Sequence, residues 1–162
     1  MKKLFLALIA LTFTLSTVSA QSNTTLSLGA ELSLPVGTFG DIYSFGIGAS
    51  GQANFGIGGN SALTLYAGYI SYSLKSVYGS GSQGYIPVLG GIEAGLSPKV
   101  FASAQLGVTT FTKGGGSAFT YSPGIGFRLS KNFSALLKYT AQSKGGATSG
   151  AVGARLAYIF GK

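Results

Sequence analysis

Residues 24–34 read Thr-Thr-Leu-Ser-Leu-Gly-Ala-Glu-Leu-Ser-Leu, with an apolar residue at every second place from Leu26 onward. Leu26, Leu28, Ala30, Leu32 and Leu34 share one parity, and Ser27, Glu31 and Ser33 share the other. A period of two puts these sets on opposite faces of a β-strand. Glu31 is the informative residue, since a carboxylate set among apolar neighbours must face away from them. The same alternation recurs over about 44–55, 61–72, 85–96, 100–112, 118–129, 133–142 and 149–160. Between the runs lie Pro35-Val36-Gly37, GIGGN, GSGSQG, Ser97-Pro98-Lys99, KGGGS, Ser130-Lys131-Asn132 and SKGGATS, all rich in residues that turn a chain.

Composition says which face meets what. Only 9% of residues are charged, against about 25% in ordinary soluble domains, and mean hydropathy is positive. After residue 20 there is no apolar segment long enough for a helical span, so the apolar residues are spread by alternation, as in membrane strands. Five charges fall well inside the runs: Glu31, Glu93, Arg128, Lys138 and Arg155. Each has the parity opposite to its apolar neighbours, and Gln52 and Gln105 share that parity. On the lipid face an Arg or Lys near mid-bilayer costs about 2–4 kcal/mol, so these seven residues are expected to form an interior polar cluster. Phe45, Phe55, Tyr69, Phe119, Tyr121, Phe127, Phe133, Tyr158 and Phe160 gather toward run ends on the apolar parity, as interfacial girdles do, whereas Phe101 and Phe111 have the inward parity.

The fold class expected is all-β, an eight-stranded antiparallel up-and-down transmembrane β-barrel after an N-terminal signal peptide. Runs of about 10–13 residues fit the ~9–11 that a tilted strand needs to cross a bilayer. Links after the first, third, fifth and seventh runs read as longer outer loops, and the others as periplasmic turns of three to five residues. Residues 1–20 carry Lys2 and Lys3, the apolar run Leu4–Leu11 and the small-residue end Val18-Ser19-Ala20, the three parts of a secretory signal. The barrel domain is then 21–162, with nine basic residues against three acidic ones, a net charge of +6. With no Cys and no His, thiolate metal sites, disulfides and the commonest general base are all missing. No catalytic residue, cofactor site or metal site is expected, and no nucleic-acid partner.

The stretches SFGIGAS (44–50), LTLYAGYISY (63–72), YSPGIGFRLS (121–130) and ARLAYIF (154–160) resemble small outer-membrane barrels of the OmpA/OmpX-like "porin family" group. The resemblance covers nearly the whole chain after residue 20 and implies architecture more than activity. It also implies a last strand read by the barrel-assembly machinery, carried here by Leu156, Tyr158 and Phe160; Gly161-Lys162 follow the aromatic.

The reading that results is a non-enzymatic outer-membrane barrel with a side-chain-filled interior and a structural or surface-interaction role. Its partners are outer-membrane lipids, the assembly machinery and, at Lys75, Lys113 and Lys144 on the outer loops, an anionic surface ligand. Two alternatives remain. One is a narrow pore for ions or small solutes; the other is a secreted lipocalin-like carrier with its apolar face turned inward.

Overall fold

The computed structural model describes residues 24–160. The signal segment 1–20 and the terminal Gly161-Lys162 lie outside the described residues. Eight strands follow one another: β1 (Thr24–Val36), β2 (Tyr43–Gly58), β3 (Ser61–Leu74), β4 (Ser82–Gly95), β5 (Val100–Phe111), β6 (Ser117–Arg128), β7 (Phe133–Lys144) and β8 (Ala147–Phe160). Each pairs antiparallel with the next, and β8 pairs with β1, so the sheet closes into an up-and-down barrel. The single α-helix among the described residues is one turn, α1 (Thr38–Ile42), between β1 and β2.

Alternation decides the two faces. Leu28, Leu32, Leu106, Leu137 and Leu156 are all more than half exposed on the outside, while Glu31, Gln52, Gln105, Lys138 and Arg155 are buried inside. This is the reverse of a lipocalin-like carrier, whose apolar side chains would line the interior. The outward aromatics include an edge-to-face stack of Phe133, Tyr158 and Phe160, with centroids 5.2 and 5.0 Å apart, at the end of the barrel that carries Thr24 and Phe160. That is the terminal end of the barrel; the opposite one, where β1 leads into α1, is the loop end.

Strands run 12–16 residues, and all but β5 and β6 outrun their alternating runs, largely because Ser, Thr and Gly continue the ladders past the apolar belt. Two connections shrink in consequence. The link after β2 is only Gly59-Asn60, rather than a GIGGN turn. The link after β7, expected to be a longer loop, is the two-residue turn Gly145-Gly146. Its φ values of 57° and 84° are those a tight hairpin requires and only glycine adopts without strain. Lys144 is therefore the last residue of β7 and not a loop residue.

An eight-stranded barrel is just wide enough for side chains to fill. Cross-strand pairing of large with absent side chains achieves this here. Gly46 faces Tyr72, Gly126 faces Phe101 and Gly107 faces Leu89 across the ladders. A Cβ on Gly46 or Gly126 would overlap the opposing ring.

Candidate functional site

Glu31 lies at the barrel's centre, 2% exposed. Closure sets it opposite Arg155 in the β1–β8 register, and Arg155 Nε lies 3.5 Å from Glu31 Oε1. Lys138, on β7, reaches across to Glu31 Oε2 at 3.0 Å. Two neutral groups complete the carboxylate's shell: Ser50 Oγ donates to Oε1 at 2.6 Å and the Tyr66 hydroxyl at 2.9 Å. The same hydroxyl accepts from Lys138 Nζ at 3.3 Å, and the ammonium stands 4.5 Å from the Tyr66 ring centroid. Arg155 also donates to Ser50 Oγ at 2.8 Å and to Ser27 Oγ at 3.1 Å. A buried charge is tolerated only when paired and hydrogen-bonded, and this carboxylate is both.

A second group fills the terminal end. Arg128 Nη2 stands 3.4 Å from Glu93 Oε1, with Arg128 lying over the Phe101 ring. Asn54 Nδ2 donates to Glu93 Oε2 at 3.2 Å and accepts from Gln52 Nε2 at 2.7 Å. Gln105 Nε2 reaches Gln52 Oε1 at 3.3 Å and Thr64 Oγ1 at 3.1 Å. The Arg128 side chain is 38% exposed, so water screens this pair more than the central one. The seven charged and amide residues picked out by parity thus sit in two linked layers, one around Glu31 and one around Glu93. Ser50, Tyr66 and Asn54 share their parity; Asn54 could have been found by the same amide signal as Gln52 two places before it, whereas a Ser and a Tyr on the inward face carry no comparable mark.

The loop end is closed by rings. Phe39, from α1, is 7% exposed and lies 4.9, 5.0 and 5.8 Å from the rings of Tyr43, Tyr72 and Tyr85. Tyr85 packs on Phe111 at 4.8 Å. Nothing in the alternation marked Phe39, which stands in a connection.

The three rim lysines are placed differently. Lys75 is exposed just beyond β3. Lys113 Nζ donates to Ser82 O at 2.6 Å, tying the β5–β6 connection to the start of β4, and Lys144 Nζ donates to Gly115 O beside the Phe111 ring. Asp41, on α1, is exposed at the same end. Leu156, Tyr158 and Phe160 form an outward ridge on β8.

Tyr66 offers a direct probe of the central shell. Replacing it with Phe keeps the ring but removes the hydroxyl that joins Glu31 to Lys138. The expected cost is about 1.5–3 kcal/mol, the range for hydrogen bonds to charged groups, read from urea unfolding in lipid vesicles. A loss under about 0.5 kcal/mol would show that water replaces the hydroxyl.

No family model matches the chain, and no curated protein matches it. Among solved structures it is similar to Ail of Yersinia pestis in a phospholipid bilayer nanodisc, at 15% identity and a TM-score of 0.62, covering 86% of this chain and 100% of that one. Ail in complex with the heparin analogue sucrose octasulfate is matched at 15% identity and a TM-score of 0.60, covering 86% and 99%. The N-terminal β-barrel domain of Pseudomonas aeruginosa OprF is matched at 14% identity and a TM-score of 0.57, covering 86% and 100%. At these identities the likeness is one of fold. The chain has the closed eight-stranded architecture of small outer-membrane barrels.

Proposed function

We propose that this barrel is a non-enzymatic outer-membrane protein with a plugged interior, and that its work is done at its surfaces. The observation that carries the reading is the filled lumen: the Glu93–Arg128 layer, the Glu31–Lys138–Arg155 layer and the Phe39–Tyr72–Tyr85 rings follow one another along the axis. Catalysis lacks machinery, since two of the three acids are held in ion pairs and the chain has no His or Cys. Mounted in an outer membrane with its termini in the periplasm, the barrel presents Lys75, Lys113 and Lys144 outward and the Leu156–Tyr158–Phe160 ridge to lipid and to the assembly machinery.

The outer rim then takes a polyanion. Opposed only by Asp41, the three lysines give that end a positive field that attracts sulfate or phosphate groups. The heparin-analogue complex of Ail, on a barrel of this fold, supports the same chemistry. Binding to immobilised heparin in detergent tests it. The protein should be retained at low salt and released as salt rises. Replacing all three lysines with Gln should weaken binding about tenfold, as expected for three exposed pairs. Unchanged retention would remove the rim from the proposal. A planar-bilayer record decides the interior, because steady open steps would favour a narrow pore over a plugged barrel.

A further inference from the structure

Between the Glu31 layer and the aromatic plug lies a small, largely enclosed chamber of about 20 Å3, lined by Glu31, Lys138, Thr140 and Gln142 and roofed by Tyr72 and Tyr85. A cavity of this size holds one water, given polar partners. One partner is waiting: Gln142 Oε1 is the buried side-chain polar atom without a hydrogen-bond partner among the described residues. Leaving such an atom unpaired costs the full desolvation of the group. The chamber's charges, Glu31 and Lys138, already pair with each other at 3.0 Å. Its walls therefore suit a neutral molecule that donates a hydrogen bond rather than an ion.

The two ends of the chamber are not equally firm. Toward the terminal end, access is barred by charged side chains carried on β1, β7 and β8. Toward the loop end, the roof is Tyr72 and Tyr85, whose rings are 4.7 Å apart. Phe39 is wedged against both. Tyr72 is tied down by a 2.8 Å hydrogen bond to Ser33 and Tyr85 rests on Phe111, but Phe39 comes from a single helical turn. That turn has no side-chain cap, and it begins after Gly37, whose φ of 61° and ψ of −147° suit glycine alone. Its backbone ties include Gly40 and Asp41 N–H to Gly37 O, Tyr43 N–H to Phe39 O and Lys75 N–H to Ile42 O.

We propose that the chamber is a binding site for a small neutral hydrogen-bond donor, water in the closed form, and that Phe39 is the latch that shuts it from the loop end. Lifting one turn between β1 and β2 withdraws a single ring and leaves Tyr72 and Tyr85 free to change rotamer. The chamber then communicates with the loop side while the ion-paired layer below it stays intact.

The chain has no cysteine, so one introduced thiol reports without background. Thr140→Cys puts it in the chamber wall, and methyl methanethiosulfonate, small and neutral, is the probe. Labelling of the folded barrel should be slow with Phe39 present and at least tenfold faster with Phe39→Ala. Tyr85→Ala, which removes half the roof, sets the open limit. Slow labelling in Phe39→Ala beside fast labelling in Tyr85→Ala overturns the latch, and slow labelling in both overturns access from this end. Boiling-dependent gel mobility confirms that each variant is folded; should Phe39→Ala not fold, Phe39→Leu serves, with acceleration still required. For the occupant, NMR cross-relaxation between a long-lived water and the Gln142 side-chain amide is expected in the unmodified barrel. A dry chamber, with no such signal, overturns the site.

Discussion

Replacing Glu31 with Ala should cost about 3–5 kcal/mol of stability, because two cations lose the carboxylate that offsets their burial. Lys138 and Arg155 are 7% and 4% exposed, so neither can turn to water without leaving its layer. The measurement is the urea dependence of the slow-migrating and fast-migrating gel forms in lipid vesicles. A second variant separates charge from lost packing: Glu31→Ala with Lys138→Met leaves one uncompensated cation instead of two. That double variant should be more stable than the single one. If it is less stable, the cost lies in the cavity and not in the stranded ammonium.

The second large effect concerns a lysine moved by one residue. Lys138 points inward and Leu137, beside it on β7, is 57% exposed on the outside. Leu137→Lys should destabilise the barrel by about 2–4 kcal/mol in a bilayer, the penalty for a lysine on the lipid face near mid-depth. Leu129, 61% exposed in the turn after β6, lies at the rim, where the same substitution should cost about 0–1 kcal/mol. Equal penalties at the two positions would mean that the outer belt does not sit in a membrane as its apolar surface indicates.

These two predictions rest on information of different origin. The inside-outside choice at 137 and 138 was legible in the alternation, since parity is a property of neighbours along the chain. The partnership of Lys138 with Glu31 was not, because it depends on register across two ladders and on closure between β8 and β1. The nearness of Glu31 and Arg155 needs closure alone, which lays the first and last strands side by side. Glu93 and Arg128 come from β4 and β6, separated by a whole strand, and only the barrel's narrow bore brings them together. The small residues tell the same story. Gly46 and Gly126 read as ordinary alternation until Tyr72 and Phe101 are seen filling the space above them. Phe39 was invisible for a simpler reason: it stands in a connection, where period carries no message, and the helical turn that aims it is five residues long. The last hairpin was misjudged because SKGGATS has loop composition, yet its outer residues pair and only Gly145-Gly146 turn.

Glu31 sits on the first strand and its two cations on the seventh and eighth. A partly assembled sheet that includes β7 and β8 but has not yet received β1 carries two positive charges and no counter-ion at its centre. A sheet that has β1 alone carries the opposite imbalance. The counter-ion shared by both cations arrives with the final seam and not before it. The cluster therefore acts on the order of assembly as well as on the finished barrel: it penalises open-edged intermediates and rewards the last step, which sharpens folding toward all-or-none closure.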